Sequence, residues 1–368
     1  MHIGLLIYGS LDTVSGGFVY DRNLVRYLQE QGDRVEVISL PWRAYPRSLA
    51  DNLNSLLQRR LRQADFDVLL QDELVHPSCF WLNQCLRPRI NYPIVGIVHH
   101  LRCRERRFAW KNRLYRKVEK RYLDSVDGLV CVSHTTKKDV EDLVGPGRPL
   151  VVASPGRDGL PGALTTRQIR ARVEASGPLR LLFVGNVIRR KELHTLLAAL
   201  SSLPRNNWRL TVVGSLDMEP GYVKAIRRRI TSSGLFLRVA LLGALPAPEL
   251  AVRCAASHVM AVPSSYEGFG IVYLEGMHFG LPAIASTRGA AREIITHGQN
   301  GFLVEPGDAR ALAQCLEALM TNRARVLEMN LAAHRSAAAH PTWNQSAARV
   351  RAFLQDLLGL SQSCPLNF

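Results

Sequence analysis

The stretch 263-PSSYEGFGIVYLEGMHFGLP-282 decides how the rest of the chain is read. Glu267 and Glu275 bracket a glycine-rich opening (Gly268, Phe269, Gly270) and a short apolar run, and Gly280-Leu281-Pro282 closes it. Preceded by the apolar HVMAVPS, it reads as a strand end, a turn, and a helix whose first turn is built around glycines. The first N–H groups of a helix lack intrahelical partners and carry partial positive charge, so such an opening favours an anion, phosphate above all. On one helix, eight residues would set the two glutamates roughly 12 Å apart, beyond the roughly 5–9.5 Å of a two-carboxylate glycosidase pair. The preferred reading puts Glu267 in the turn and Glu275 about one turn into the helix, at different ends of one ligand.

Around this stretch, apolar runs of strand length recur with helical patterns between them. In the second half they are LRLLFVG, LTVVG, VALLG, HVMAVPS, PAIAS and GFLV, with helices expected near 191–200, 222–232, 249–255, 290–296 and 309–320. In the first half they are IGLLIYG, RVEVISL, FDVLLQ, IVGIVHHL, GLVCVS and LVVASPG. Strands that are apolar throughout, rather than alternating, belong to parallel sheets covered on both faces. The fold class is therefore α/β, with two doubly wound parallel-sheet domains at 1–170 and 171–340 and a cleft between their carboxyl ends. Residues 341–368 form a helical tail, with a return to the first domain as one option. The linker is expected in 146–178, which is rich in glycine, proline and arginine.

The first strand runs into a loop with Gly16 and Gly17, and a helical pattern through Leu24, Val25 and Leu28 stops at Gly32. This is a βαβ opening whose glycines either admit a phosphate or sugar to the backbone or only make a tight turn. His99 and His100 end a strand, and ligands of parallel sheets bind beyond such ends. A ligand contact at His99 weighs equally with a structural role, and His100, facing the other way, is the weaker candidate.

The apolar N-terminal run is too short, and lacks the basic start, for a signal peptide, and no run has the roughly 18–20 apolar residues of a spanning helix. The seven cysteines are scattered and odd in number, against a disulfide framework and for a reducing, cytoplasmic setting. The net charge of +16 calls for an anionic partner. Ten basic residues crowd into 102–121 against Glu105 and Glu119, which counts against a nucleic-acid groove spread across the protein. Trp110, Leu114, Val118 and Tyr122 recur there every fourth residue, giving an amphipathic helix with an arginine-rich outer face. It reads as a solvated surface helix or as one lying on anionic lipid at the inner face of the membrane.

Taken together, PSSYEGFGIVYLEGMHFGLPAIAS, FVGNVIRRKELHTLLAAL, GAAREIITHGQNGFLVEPGD and, more loosely, SGG, VHH and VSHTTKKDV resemble the retaining, nucleotide-sugar-dependent glycosyltransferases with an E-x7-E signature and two facing Rossmann-like domains (GT-B). The resemblance implies a donor site of Gly16, Gly17, Asn186, Arg190, Lys191, Gly268, Phe269, Gly270 and Glu275. It implies catalytic roles for His99 at the donor sugar, Lys191 at the diphosphate and Glu267 near the transferred sugar, with Glu275 on the ribose. The family's arginine after the strand glycine is here Asn186, its glycine after the lysine is Glu192, its His-Asp pair is His-His, and its N-G-x-D is Pro155–Asp158. A neutral amide does not replace a guanidinium on phosphate, and Arg190 is the candidate to compensate.

The implied reaction moves a glycosyl group from a nucleoside diphosphate sugar to a sugar, lipid or small-molecule acceptor with retention. Side chains and helix-start amides stabilise the leaving phosphate, with no cofactor and no metal expected. The alternatives are a nucleotide-sugar epimerase of the same fold, or a non-catalytic protein that binds anions or membranes.

Overall fold

The computed structural model describes residues 1–13, 15–105 and 107–360. Val14, Arg106 of the basic segment, and residues 361–368 of the tail, Cys364 among them, lie outside the described residues. The chain divides into two units, Met1–Pro155 with the helix that starts at Trp343, and Gly156–Thr342. The division falls after Pro155 rather than at 170, and 146–178 is not one linker. It holds a strand, Leu150–Val152, and a helix, Thr166–Glu174. Thr165 and Gln168 close a capping box at the start of that helix, and Ile169 and Val173 are buried. A capped start and an apolar stripe outweigh the local glycine and proline content.

In the first unit, strands β1 (His2–Tyr8), β2 (Arg34–Leu40), β3 (Val68–Asp72), β4 (Ile94–Val98), β5 (Gly128–Cys131) and β6 (Leu150–Val152) form one sheet in the order β2-β1-β3-β4-β5-β6. In the second, β7 (Leu179–Val184), β8 (Trp208–Val213), β9 (Val239–Leu241), β10 (Val259–Ala261), β11 (Ala283–Ser286) and β12 (Gly301–Val304) run β12-β11-β10-β7-β8-β9. Every pairing is parallel. Each apolar run of the sequence is thus a strand, and β3, β4 and β5 are buried along their whole length, as two covered faces require.

The two orders differ. The first is of flavodoxin type, reversing between β1 and β3; the second is of Rossmann type, reversing between β7 and β10. At a reversal the flanking crossovers leave on opposite faces, which opens a crevice beyond the strand ends. The loops after β1 and β3, and after β7 and β10, are therefore where ligand chemistry is expected.

The helix Trp343–Leu357 lies on the helix Gly16–Glu30. Trp343 meets the Tyr20 ring edge-on at 5.9 Å, and Arg351 pairs with Asp33 at 2.7 Å. The expected helix at 290–296 is only a 3-10 turn, Ala290–Glu293, whereas Arg323–Ala339 is a long helix that the sequence reading did not assign. The basic helix, Ala109–Asp124, departs from its expected stripe. Val118 and Tyr122 are buried, but Trp110 and Leu114 are exposed (64% and 45%), as is Phe108 just before it. The buried stripe runs instead through Tyr115, Val118, Glu119, Tyr122 and Leu123, and a strict every-fourth spacing drifts about 40° per step, which carries Leu114 and Trp110 off it. No helix among the described residues is long and apolar enough to cross a membrane.

Candidate active site

In the second unit, the loop after β10 carries Ser264, Tyr266 and Glu267 and leads into the helix Ile271–His278. The turn into the helix is made by Gly270 at φ +93°, a left-handed conformation open to glycine at little cost. The Tyr273 hydroxyl donates to the Val262 carbonyl at 2.7 Å and ties the helix start to the end of β10. Glu267 thus sits in the loop and Glu275 on the helix, the division expected from spacing.

The loop after β7 brings cations to Glu267. Lys191 Nζ donates to Glu267 Oε1 at 2.5 Å, and Ser264 Oγ donates to the same oxygen at 2.6 Å. Arg190 donates to the Tyr266 carbonyl at 2.8 Å, with its guanidinium 3.4 Å from Glu267 Oε2. Burial alone would raise the Glu267 carboxyl, but Lys191, Arg190 and Ser264 overcome it and hold its pKa down to about 2. Glu267 is an ionised acceptor at neutral pH and no proton donor. Burial pulls the Lys191 ammonium down while Glu267 opposes; the short contact to a carboxylate so firmly ionised keeps the pair charged.

Glu275 behaves differently. Burial, with no compensating cation, raises its pKa to about 7. Asn186 Oδ1 accepts from the Ser215 amide at 3.2 Å, in the loop after β8. Glu192 takes the one positive φ among described non-glycine residues, +52°, where the family's glycine stands. Its buried carboxylate accepts from Thr195 Oγ1 at 2.9 Å and the Gly307 amide at 2.8 Å, which holds the strained backbone in place.

In the first unit, the helix Gly16–Glu30 starts after β1 and passes His99, which follows β4. A Cβ on Gly17 would lie 3.2 Å from His99 Cδ2, so a side chain there would crowd the imidazole. His99 Nε2 lies 3.4 Å from Asp21 Oδ1 on that helix and 3.9 Å from Asp72 Oδ2 at the end of β3. Burial would lower the imidazole, but Asp21 and then Asp72 raise its pKa to about 9, so it is an imidazolium at neutral pH. Burial, then Asp21, pushes the Asp72 carboxyl well up. His100 instead faces Glu105 at 2.9 Å.

Of the expected residues, Arg190, Lys191 and Glu267 meet in the second unit and Gly17 lies against His99 in the first, while Asn186 is bonded to the loop after β8 and Glu275 is buried on its helix without a compensating cation. Sequence reading did not find Ser264, Asp21 or Asp72. Asp21 sits at a core-facing position of a helix and Asp72 at a strand end, so buried carboxylates in apolar patterns were the available signal.

Two parallel doubly wound units, one with a glycine-turned helix start beside a lysine–glutamate pair, define the GT-B class of glycosyltransferase architecture. The glycosyl transferases group 1 family model matches residues 165–339, within the second unit, and that of Glycosyltransferase Family 4 matches residues 40–158 of the first. Among curated relatives it is 27% identical over 252 residues to a GDP-mannose-dependent alpha-(1-6)-phosphatidylinositol monomannoside mannosyltransferase of Mycobacterium tuberculosis, covering 65% of this chain and 64% of that protein. It is 30% identical over 245 residues to a D-inositol 3-phosphate glycosyltransferase of Xylanimonas cellulosilytica, covering 63% and 57%. The chain thus spans less than two thirds of the length of these relatives. Sucrose-phosphate synthase from Thermosynechococcus elongatus shares the fold at TM-score 0.82 and 21% identity, over 98% of this chain and 99% of that one. So does Anabaena HepE in complex with UDP and glucose, at TM-score 0.74 and 20% identity, over 96% and 99%.

Proposed function

We propose that the protein transfers a glycosyl group from a nucleoside diphosphate sugar to an acceptor, with retention and without a metal at the donor. The observation that carries this reading is the Lys191–Glu267–Arg190 cluster beside the start of the helix Ile271–His278, at the reversal of the second sheet. Loss of the nucleoside diphosphate puts negative charge on phosphate, and Lys191, Arg190 and the amides from Gly268 onward supply fixed positive charge to meet it. The ionised Glu267 accepts from sugar hydroxyls, and Glu275 from the ribose. His99, as imidazolium, donates to an oxygen of the transferred sugar. Relatives are named for GDP-mannose, and a fold neighbour holds UDP and glucose, which supports a purine or uridine diphosphate sugar as donor.

For the acceptor we favour a lipid-anchored glycan at an anionic surface. Phe108, Trp110 and Leu114 are exposed, and Lys111 lies over the Phe108 and Trp110 rings at 5.9 and 5.3 Å. Apolar side chains amid exposed cations such as Arg113 and Lys117 suit the interface of an anionic bilayer. The mycobacterial relative's name points to a phosphatidylinositol-based acceptor.

Calorimetric titration with UDP, GDP and ADP in chelator tests the donor half: one should bind, and Lys191→Ala and Glu275→Ala should each weaken it. Absence of binding by every nucleoside diphosphate overturns the reading. Proton NMR of the product's anomeric centre tests retention. Co-sedimentation with anionic against zwitterionic vesicles tests the surface, with Trp110→Ala and Arg113→Glu expected to release the protein.

A further inference from the structure

A second buried cluster in the first unit is used by none of this chemistry. Glu73 follows β3 in a 3-10 turn, His76 opens the short helix His76–Cys79, and Glu119 comes from the helix Ala109–Asp124. Spacing of i, i+3 places Glu73 and His76 on one side of their helical turn, and Glu119 completes a triangle. One ligand atom of each lies within 4.8 Å of those of the other two. Glu73, His76 and Glu119 are 1%, 2% and 0% exposed.

The cluster is short of positive charge and of donors. Neither carboxylate oxygen of Glu73 has a hydrogen-bond partner, and the basic group that meets it is His76, with Nδ1 3.4 Å from Glu73 Oε1. Glu119 is better supplied: it accepts from the backbone amides of Arg102 and Cys103. His76 Nδ1 donates to the Glu73 carbonyl at 2.8 Å, and its Nε2 lies 3.1 Å from the Tyr45 hydroxyl. The Arg102 guanidinium is stacked between Tyr45 and Tyr115, 5.1 and 4.9 Å from their rings. Burying a carboxylate with no partner costs several kcal/mol unless it takes a proton or a cation. Burial, offset by His76 and increased by Glu73, already raises the Glu119 carboxyl.

We propose that Glu73, His76 and Glu119 bind a divalent transition-metal ion, Zn²⁺ or Mn²⁺, as a structural centre of the first unit. Two carboxylate oxygens and an imidazole nitrogen are a ligand set for these ions. Mg²⁺ fits poorly, since it holds on to several waters and the cluster is dry. The ion meets the Glu73 oxygens and neutralises two buried carboxylates, at the expense of one His76 hydrogen bond. It pins the turn after β3, which carries Asp72, to the basic helix. The site is separate from the donor cluster in the other unit and takes no part in the proposed transfer.

The test is the metal content of the full chain after stripping with chelator and dialysis against Zn²⁺, Mn²⁺ or Mg²⁺, read by plasma mass spectrometry. Wild type should hold about one Zn²⁺ or Mn²⁺ and no Mg²⁺, and melt higher with the ion than without. Glu73→Gln and Glu119→Gln should lose the ion and the shift, while Asp21→Asn, in the neighbouring carboxylate cluster, should keep both. Wild type that takes up no ion, or loses it with Asp21→Asn and not with Glu73→Gln, overturns the proposal. Should the glutamine variants not fold, Co²⁺ added to wild type decides: visible ligand-field bands sensitive to histidine modification support the site, and their absence refutes it.

Discussion

Two buried charge clusters, one at the reversal of each sheet, follow opposite designs. In the second unit Glu267 is surrounded by Lys191, Arg190 and Ser264, so cations outnumber the carboxylate and it is ionised with a pKa of about 2. In the first unit one imidazole faces two carboxylates, and Asp21 and Asp72 retain buried oxygens without hydrogen-bond partners. There His99 is raised to about 9 and Asp72 pushed well above its usual range. The cation-rich cluster suits an anionic diphosphate; the carboxylate-rich one suits polar, uncharged sugar hydroxyls. The same sheet rule puts both at strand ends, and the charge balance separates the roles proposed for them.

The comparison breaks most readily at Lys191. Lys191→Met strands Glu267 in the interior and should cost ~3–5 kcal/mol in chemical denaturation, much of it restored by adding Glu267→Gln. Additive losses would mean that the two do not stabilise each other. Next is Glu275, the carboxylate without a cation. Burial raises its folded pKa from 4.5 to about 7, so the folded chain holds the extra proton in that window and loses stability as pH rises through it. Glu275→Gln should therefore stabilise the ligand-free protein by roughly 2–3 kcal/mol at pH 8, not at pH 4, while weakening nucleotide binding. Equal melting shifts at both pH values would contradict this.

In the first unit, His99 stabilises the fold below pH 6.5 and ceases to as pH rises through about 9. Asp21→Asn should bring its NMR titration back towards 6.5 and cost ~1–2 kcal/mol at neutral pH. Burial and Asp21 disfavour the ionised Asp72 carboxyl, so Asp72→Asn gives up little charge stabilisation and should change stability by less than ~1 kcal/mol. An Asp72 variant as damaging as Lys191→Met would erase the contrast between the clusters. The smallest effect lies at Glu192: glycine spares a left-handed penalty of ~1 kcal/mol that alanine keeps, so Glu192→Gly should melt above Glu192→Ala by about that amount.

Much of this was legible beforehand. Every strand could be read, because a strand buried on both faces must be apolar throughout. The separation of Glu267 from Glu275 followed from helix geometry and the glycines. Less legible was what depends on distant neighbours. Ala290–Glu293 makes one 3-10 turn where a helix was expected, and Trp110 and Leu114 face solvent although their spacing matches buried Val118 and Tyr122. A spacing of four drifts about 40° per step around the helix, and only the packing shows that the buried stripe runs through Tyr115 and Glu119 instead.

By itself, then, the sequence determined the α/β class, the twelve strands among the described residues and the glycine-turned helix start, since those depend on local periodicity and on glycine's conformational freedom. Only the tertiary structure decided the strand orders, the Lys191–Glu267 pairing across 76 residues, the Asp21–Asp72–His99 cluster and the charge state of each carboxylate. Those follow from burial and from neighbours brought close by the sheets, which no single stretch of chain contains.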